Sequence, residues 1–366
     1  MEAFRRLGLS EEDVPTTWDE LLDLLIALPD YMANDEDVSM FEPYVTQEDA
    51  RESLFSMILD NYLLYIDQPD QEFTLDTPLL RGLLETYRPA FVHVPGDLPA
   101  ETGRALEGFV PALEVEDSVL LRRPGGQGPE LHPELALLLT TSGSTGSPKL
   151  VRLSGRNLDA NTRSIVEYLE LDEGQRPVTN LAMSYSYGMS IVNSHLLVGA
   201  PLLLTRHSVM ERSFWDRVDR EGATSLAGVP YTYQMFHRLG LISMNLPRLR
   251  TLTQAGGKLS LELHREFAAW AMGTGRQFFV MYGQTEAAPR MGYLPANRAV
   301  EKCGSMGVPI PGGSFWLEDA DGAEIKAPDA TGELVYRGDN VAMGYAQCAE
   351  DLSKGDEWGG LLRTGD

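Results

Sequence analysis

The order of hydrophobic and polar positions changes character after about residue 75. Before it, apolar residues recur at helical spacing over residues 16–25 and 47–65, which predicts two amphipathic helices. After it, short apolar runs alternate with amphipathic stretches. The predicted strands are residues 136–139, 179–183, 201–205, 250–254 and 277–282, and the predicted helices are residues 157–169, 208–220 and 259–272. This alternation favours an α/β fold with mostly parallel sheets flanked by helices.

Charge is distributed as unevenly as the hydrophobic pattern. The 366 residues include 30 Lys and Arg against 54 Asp and Glu, a net charge of −24. The first 75 residues hold 19 acidic and 3 basic residues, so they carry −16 of that total. We therefore predict two units, an acidic helical segment over residues 1–74 and a second domain over residues 75–366. The strong acidity argues against a nucleic-acid partner.

The chain shows no signal for export or for membrane insertion. The first nine residues lack the apolar stretch of a secretory signal, and the longest apolar run, near residues 196–204, is too short to span a bilayer. We expect a cytoplasmic protein without a membrane span. The six histidines show no metal-binding spacing.

A hydroxyl-rich loop follows the first predicted strand of the second unit. Residues 137–151 read LLLTTSGSTGSPKLV. Gly143 and Gly146 let the backbone approach a ligand, where N–H groups and hydroxyls can surround phosphate oxygens and Lys149 adds a positive charge. The spacing of a P-loop is absent. Taken alone, the loop fits a flexible surface turn equally well.

A second motif follows a later apolar strand. Residues 282–286 read YGQTE. Tyr282 offers a ring on which a base can stack, Thr285 offers a hydroxyl donor to phosphate, and Glu286 offers a hard oxygen ligand for Mg²⁺. Taken alone, this segment is better explained as an ordinary turn between a strand and a loop.

Three further segments complete an ordered set of five motifs. They read AGGK at residues 255–258, GELVYRGDNVAMGY at 332–345 and RTGD at 363–366. In this order the five motifs resemble the adenylate-forming superfamily of acyl-CoA synthetases, nonribosomal-peptide adenylation domains and luciferases, over about residues 75–366 as a partial N-terminal core. The first 75–85 residues instead resemble part of an extracellular sugar-type solute-binding protein, with an acidic helical cap as the alternative.

The superfamily resemblance implies ATP and Mg²⁺ as cofactors and gives each motif a role. Thr285 would touch the α-phosphate, Glu286 would hold Mg²⁺, and Asp366 would accept hydrogen bonds from the ribose hydroxyls. The groups implied to hold the pyrophosphate end of ATP are Thr141, Ser142, Gly143, Ser144, Thr145, Gly146 and Lys149. Those implied to surround the adenine are Gly256, Gly257 and Tyr282, and Gly283 is a further predicted cofactor-binding residue.

The resemblance also places the acid pocket. Residues 182–190 match the segment that enters it, and Gly188 stands where amino-acid-activating relatives carry an aspartate. An α-amino acid is disfavoured, because its buried ammonium group would lack a partner. The predicted pocket residues are Tyr185, Tyr187, Gly188, Met189, Tyr231 and Met281. They suit an apolar or hydroxylated acid, although simple core packing explains them equally well.

The implied activity is ATP-dependent activation of a small-molecule carboxylic acid as an acyl-adenylate. The acyl group would then pass to CoA or to the phosphopantetheine of a carrier protein. Because the sequence stops at Asp366, before the small C-terminal domain and catalytic lysine of the superfamily, we expect this chain to be catalytically impaired. The alternatives are a noncatalytic binding protein, made of a solute-binding fragment and a degenerate nucleotide-binding core, and an anion-binding regulatory module.

Overall fold

The computed structural model describes residues 91–95, 110–115, 118–122, 129–140, 149–205 and 207–366. The chain divides into two units, Met1–Thr74 and Leu75–Asp366, and all the described residues belong to the second. The helices predicted over residues 16–25 and 47–65 and the loop at 141–148 lie outside the described residues.

Fifteen strands and five α-helices make up the described part of the chain. The helices are α1 (Gly155–Tyr168), α2 (Ser186–Leu197), α3 (Arg212–Arg220), α4 (Pro230–Arg238) and α5 (Leu261–Gly273). The first eight strands are β1 (Phe91–Pro95), β2 (Val110–Val115), β3 (Ser118–Arg122), β4 (Leu135–Thr140), β5 (Leu150–Ser154), β6 (Ser225–Gly228), β7 (Thr251–Gln254) and β8 (Gln277–Gly283). The remaining seven are β9 (Arg290–Leu294), β10 (Val308–Pro309), β11 (Ser314–Glu318), β12 (Glu324–Ile325), β13 (Glu333–Arg337), β14 (Gly344–Ala346) and β15 (Leu361–Arg363).

A five-stranded sheet in the order β10-β9-β8-β7-β6 forms the centre of the fold. Strands β6, β7 and β8 pair in parallel, and β8 pairs with β9 in the antiparallel sense. The other three sheets, β1-β3-β2, β14-β5-β4 and β12-β11-β13-β15, are antiparallel. The predicted α/β class is confirmed, and the sheets of the described chain are mixed rather than mostly parallel.

Two predicted strands are absent from these positions. Residues 179–183 and 201–205 are connected by the isolated bridge Val178–Leu203 instead of a ladder, with the Thr179 amide donating to the Leu203 carbonyl at 3.0 Å. None of residues 179–183 or 201–205 is buried, and Met183 and Leu204 are 58% and 60% exposed, so their apolar side chains do not form the buried face that a central strand has. The helix predicted from residue 208 begins at Arg212, because the Ser208 amide donates to the Glu211 carboxylate at 2.6 Å in a turn before it.

Packing around the parallel strands builds the largest core. Aromatic side chains from α4, α5 and β8 meet edge to face there: the centroids of Tyr233 and Phe267 are 5.0 Å apart, and those of Tyr233 and Phe278 are 5.5 Å apart. All three rings are buried. This core holds the carboxyl end of β8 in place, and β8 leads directly into residues 284–286.

A second frame brings distant parts of the chain together. Strand β14 pairs with β5 so that Tyr345 lies opposite Val151. Lys149 directly precedes β5, so this pairing carries Tyr345 to the end of the loop at 141–148. Among the described helices, none combines the length and apolar character needed to cross a bilayer.

Candidate active site

Lys149, Tyr345 and Glu286 form a contiguous group. The Lys149 ammonium lies 3.3 Å from the centroid of the Tyr345 ring, a cation–π contact. The Tyr345 hydroxyl donates to Glu286 Oε1 at 2.8 Å. Burial, and next the hydrogen bond to Glu286, raise the pKa of Tyr345 well above its ordinary value, so this phenol remains a proton donor. The structure thus places the described end of the loop beside the YGQTE motif.

A buried arginine holds the backbone that carries Tyr345. Arg152 is fully buried and donates to the carbonyls of Met343 and Tyr345, each at 3.1 Å. It also forms an ion pair with Glu357. Arg152 therefore ties β14 and the segment at 354–357 to β5, which sets the position of Tyr345.

The carboxyl end of β8 holds a second cluster. The Tyr282 hydroxyl donates to Asp366 Oδ2, and Gln284 Nε2 donates to the same oxygen at 3.2 Å and to the Thr364 carbonyl at 3.0 Å. Burial, followed by the Asp366 hydrogen bond, raises the pKa of Tyr282. Asp366 is exposed, so it is open to hydroxyl donors from a ligand.

Three glycines at this edge of the sheet pack closely against neighbouring residues. Gly256 has φ +76°, and a Cβ there would run into the Tyr185 hydroxyl. A Cβ on Gly257 would lie 3.1 Å from Pro230 Cγ at the start of α4. A Cβ on Gly283 would collide with the Pro289 carbonyl. Gly256 and Gly257 are themselves exposed, at the position where the sequence predicts the adenine.

Thr285 connects the YGQTE motif to helix α2. Its hydroxyl lies 3.3 Å from the Ser186 hydroxyl, near the N-terminus of that helix. Either hydroxyl can act as the donor, so both can turn toward a phosphate oxygen.

Two predicted pocket residues lie in the core around a buried cation. Arg290 is 2% exposed, and its guanidinium carbon lies 4.4 Å from the centroid of the Tyr187 ring. Its nitrogens also contact the Tyr168 hydroxyl and the Met281 sulfur. Tyr187 is 2% exposed, and its hydroxyl lies 2.8 Å from that of Thr253. Tyr187 and Met281 thus have the core environment that the sequence left as an alternative.

The other predicted pocket residues are dispersed. Gly188 lies within α2, where a Cβ would collide with the Ala182 carbonyl, so backbone packing requires glycine there. Met189 packs on the cluster that contains Leu139 and Val151. Tyr185 is 37% exposed beside Gly256, and Tyr231 is half-buried in α4.

The predicted phosphate-binding loop lies outside the described residues. It comprises Thr141, Ser142, Gly143, Ser144, Thr145 and Gly146. Their roles stay predictions, and only Lys149, at the end of the loop, has described contacts.

Sequence reasoning missed several groups of this site. Tyr345 is the last residue of the GELVYRGDNVAMGY segment, and Gln284 lies inside YGQTE. Both therefore belong to motifs identified from the sequence, but no role was predicted for either residue. Arg152 gave no signal, because an arginine within an apolar strand looks like an exposed position until its partners, about 190–205 residues away, are known.

The chemistry of the site suits a magnesium nucleotide. Mg²⁺ commonly takes one or two carboxylates together with phosphate oxygens rather than a cage of protein ligands. Glu286 offers Oε2, which accepts no hydrogen bond from any described residue, while Oε1 is held by Tyr345. Within residues 129–140, 149–205 and 207–366, no group of three or more His, Cys, Asp or Glu side chains gathers as a metal centre. The Glu286 carboxylate, held at one oxygen by Tyr345, therefore fits a magnesium ion that is shared with phosphate oxygens.

Comparison with known proteins defines the class. The AMP-binding enzyme family matches residues 92–346, well over half of the chain. The chain therefore belongs to the AMP-binding enzyme family, which confirms the predicted superfamily. The comparisons do not support the predicted likeness of the first 75–85 residues to a solute-binding protein.

Two curated relatives are CoA ligases that this chain matches over about half of their length. An indoleacetate–CoA ligase of Aromatoleum aromaticum is 31% identical over 260 residues, covering 68% of this chain and 48% of the ligase. A feruloyl-CoA synthase of an Amycolatopsis species is 30% identical over 287 residues, covering 75% of this chain and 55% of the synthase. The chain thus spans about half the length of the curated relatives that it matches.

Solved structures share the fold. VinN is 28% identical with a TM-score of 0.55, over 66% of this chain and 60% of VinN. The o-succinylbenzoate CoA synthetase of Bacillus subtilis, in complex with an acyl-adenylate intermediate, is 25% identical with a TM-score of 0.55, over 70% of this chain and 49% of the synthetase.

Proposed function

We propose that this chain forms the nucleotide-binding and acid-activating core of an ATP-dependent acid–thiol ligase. The observation that carries the proposal is the group Lys149–Tyr345–Glu286, which sets a cation and a carboxylate close together beside the YGQTE motif. The Tyr282–Asp366 cluster at the end of β8 would hold the adenosine.

In the proposed reaction, an oxygen of the substrate carboxylate attacks the α-phosphorus of ATP. The bond from that phosphorus to the bridging oxygen breaks, pyrophosphate leaves with its electron pair, and no proton moves. Lys149 would neutralise phosphate charge and Thr285 would donate a hydrogen bond to the α-phosphate, so catalysis rests on positioning and electrostatics. Glu286 would hold Mg²⁺, which supplies further neutralisation of phosphate charge when bound.

For the acid, we propose a small aromatic or hydroxylated carboxylic acid. Two relatives are named for indoleacetate and for feruloyl-CoA, and an exposed tyrosine, Tyr185, stands beside Gly256. CoA would accept the acyl group, with a carrier-protein phosphopantetheine as the alternative acceptor. A cytoplasmic location, where ATP and CoA are both present, agrees with this proposal.

Nucleotide binding and adenylation test the proposal. Titration calorimetry of the full chain should show binding of both AMP and ATP. Lys149→Ala should weaken ATP binding by about tenfold, the size of one charge-assisted contact to phosphate, and leave AMP binding unchanged, since AMP lacks the outer phosphates. Lys326→Ala is the matched control, because Lys326 is 80% exposed and its nearest carboxylate, that of Glu324, is 3.8 Å away.

Pyrophosphate exchange with a panel of aromatic and aliphatic acids then reports adenylation. Exchange stimulated by one acid class identifies the substrate, and its absolute rate tests the predicted catalytic impairment, which stays a prediction. Failure of the chain to bind either nucleotide would contradict the proposed function.

A further inference from the structure

We propose that Tyr345 acts as a spacer that prevents Lys149 and Glu286 from pairing with each other, so that both charges stay available to a magnesium nucleotide. This inference rests on the proposed function and adds a positioning residue to it. Tyr345 would touch neither the acid nor the reacting phosphorus.

Two charged groups share one side chain here. The Lys149 ammonium is on the face of the Tyr345 ring, 3.3 Å from its centroid, and the Glu286 carboxylate is at the hydroxyl, 2.8 Å away. Within the described part of the chain, Lys149 and Glu286 form no ion pair with any residue. Both residues are half-buried, and opposite charges that contact the same side chain, one at its ring face and one at its hydroxyl, attract each other.

Tyr345 is held firmly in its position between Lys149 and Glu286. Its backbone carbonyl accepts a hydrogen bond from Arg152 Nε at 3.1 Å. The Trp358 ring meets it edge to face, with centroids 4.8 Å apart and planes at 87°. Strand pairing sets Tyr345 opposite Val151, close to Lys149 in sequence. The backbone hydrogen bond, the ring contact and the strand register thus restrain Tyr345 together.

The main chain fixes the other end of the spacer. The Ala342 amide donates to the Glu286 carbonyl at 2.8 Å, so the segment that carries Tyr345 also holds the backbone of Glu286. The carboxylate uses Oε1 for the Tyr345 hydroxyl, and Oε2 faces no described donor. Glu286 is therefore restrained at one oxygen and free at the other.

The two contacts differ in how easily a ligand can replace them. A cation–π contact is weaker than a charge-assisted hydrogen bond to phosphate, so Lys149 can leave the ring when phosphate arrives. A direct Lys149–Glu286 ion pair would compete with both phosphate and metal. The spacer thus keeps Lys149 in a weak contact that a phosphate oxygen can displace.

The first test needs no nucleotide. A double-mutant cycle with Lys149→Met and Glu286→Gln is measured by urea unfolding of the full chain, in the wild-type background and in Tyr345→Phe. Tyr345→Phe removes the hydroxyl that restrains the Glu286 carboxylate, so that carboxylate becomes free to reach Lys149. We expect little coupling between Lys149 and Glu286 in wild type, and about threefold to fivefold in the unfolding equilibrium constant in Tyr345→Phe, as for a newly formed ion pair.

The second test is rescue of ATP binding without Mg²⁺, measured by calorimetry in EDTA. Tyr345→Phe should bind ATP about fivefold more weakly than wild type, because Lys149 is then paired with Glu286. Adding Glu286→Gln should restore most of that affinity, which a general loss of structure would not do. Tyr293→Phe is the control, since the Tyr293 hydroxyl makes no hydrogen bond with a described residue, and it should match wild type.

Equal coupling in the two backgrounds, or weakened ATP binding that Glu286→Gln does not restore, would overturn the spacer. Failure of the wild-type chain to bind AMP would instead contradict the proposed function. The double-mutant cycle, which is measured by unfolding without nucleotide, would still decide the role of Tyr345.

Discussion

Replacing Arg152 by methionine should destabilise the domain by about 3 kcal/mol. The side chain is fully buried, and it donates to the carbonyls of Met343, Tyr345, Lys354 and Gly355. The Met343 carbonyl also accepts from the Glu357 amide at 2.8 Å, so three carbonyls lose a donor outright. At about 1 kcal/mol for each unsatisfied, part-buried acceptor, the sum is about 3 kcal/mol.

The Glu357 carboxylate adds little to this figure. Its side chain is 46% exposed, so water can solvate it once Arg152 is gone. Urea unfolding followed by tryptophan fluorescence measures the change, and Trp358 lies against the affected segment. Because Arg152 holds Tyr345, the same variant should also bind ATP more weakly.

Arg156→Met is the matched control. It removes an arginine four residues away whose ion pair with Asp339 is exposed, at 75% and 65% for the two side chains, so its stability should stay near wild type. A loss of less than about 1 kcal/mol in Arg152→Met would refute the reasoning, because it would mean that water or a shifted backbone satisfies these carbonyls.

Two further predictions concern helix α2. Gly188→Ala should destabilise by about 1–3 kcal/mol because its Cβ would collide with the Ala182 carbonyl, whereas Gly155→Ala, with open space around it, should be neutral or slightly stabilising in the same unfolding assay. His195, at the end of α2, is buried, and burial lowers its pKa below the ordinary 6.5. The unfolded chain then takes up a proton that the folded chain does not, so stability should fall as pH drops through 6.5 and toward the lower folded-state pKa. His195→Gln should lose less unfolding free energy than wild type between pH 7.5 and pH 5.5, and parallel losses would contradict this assignment.

The local hydrophobic pattern of the sequence was enough to predict several helices and strands. Helices α1 and α5 and strands β7 and β8 fall within about two residues of their predicted bounds, because hydrophobic periodicity is a property of neighbouring residues. The YGQTE segment was expected after a buried strand, and it follows β8. Where pairing depended on distant residues, as at 179–183 and 201–205, the predicted strands did not form.

Only the tertiary structure decided which motif residues touch. Tyr345 lies on Lys149 because β14 pairs with β5 across nearly two hundred residues, a register that no local pattern encodes. Tyr187 and Met281 have the same apolar character in the sequence whether they line a pocket or a core, and their packing around the buried Arg290 sets which environment they occupy. The order of strands in a sheet follows from the burial of whole faces, which depends on the complete chain.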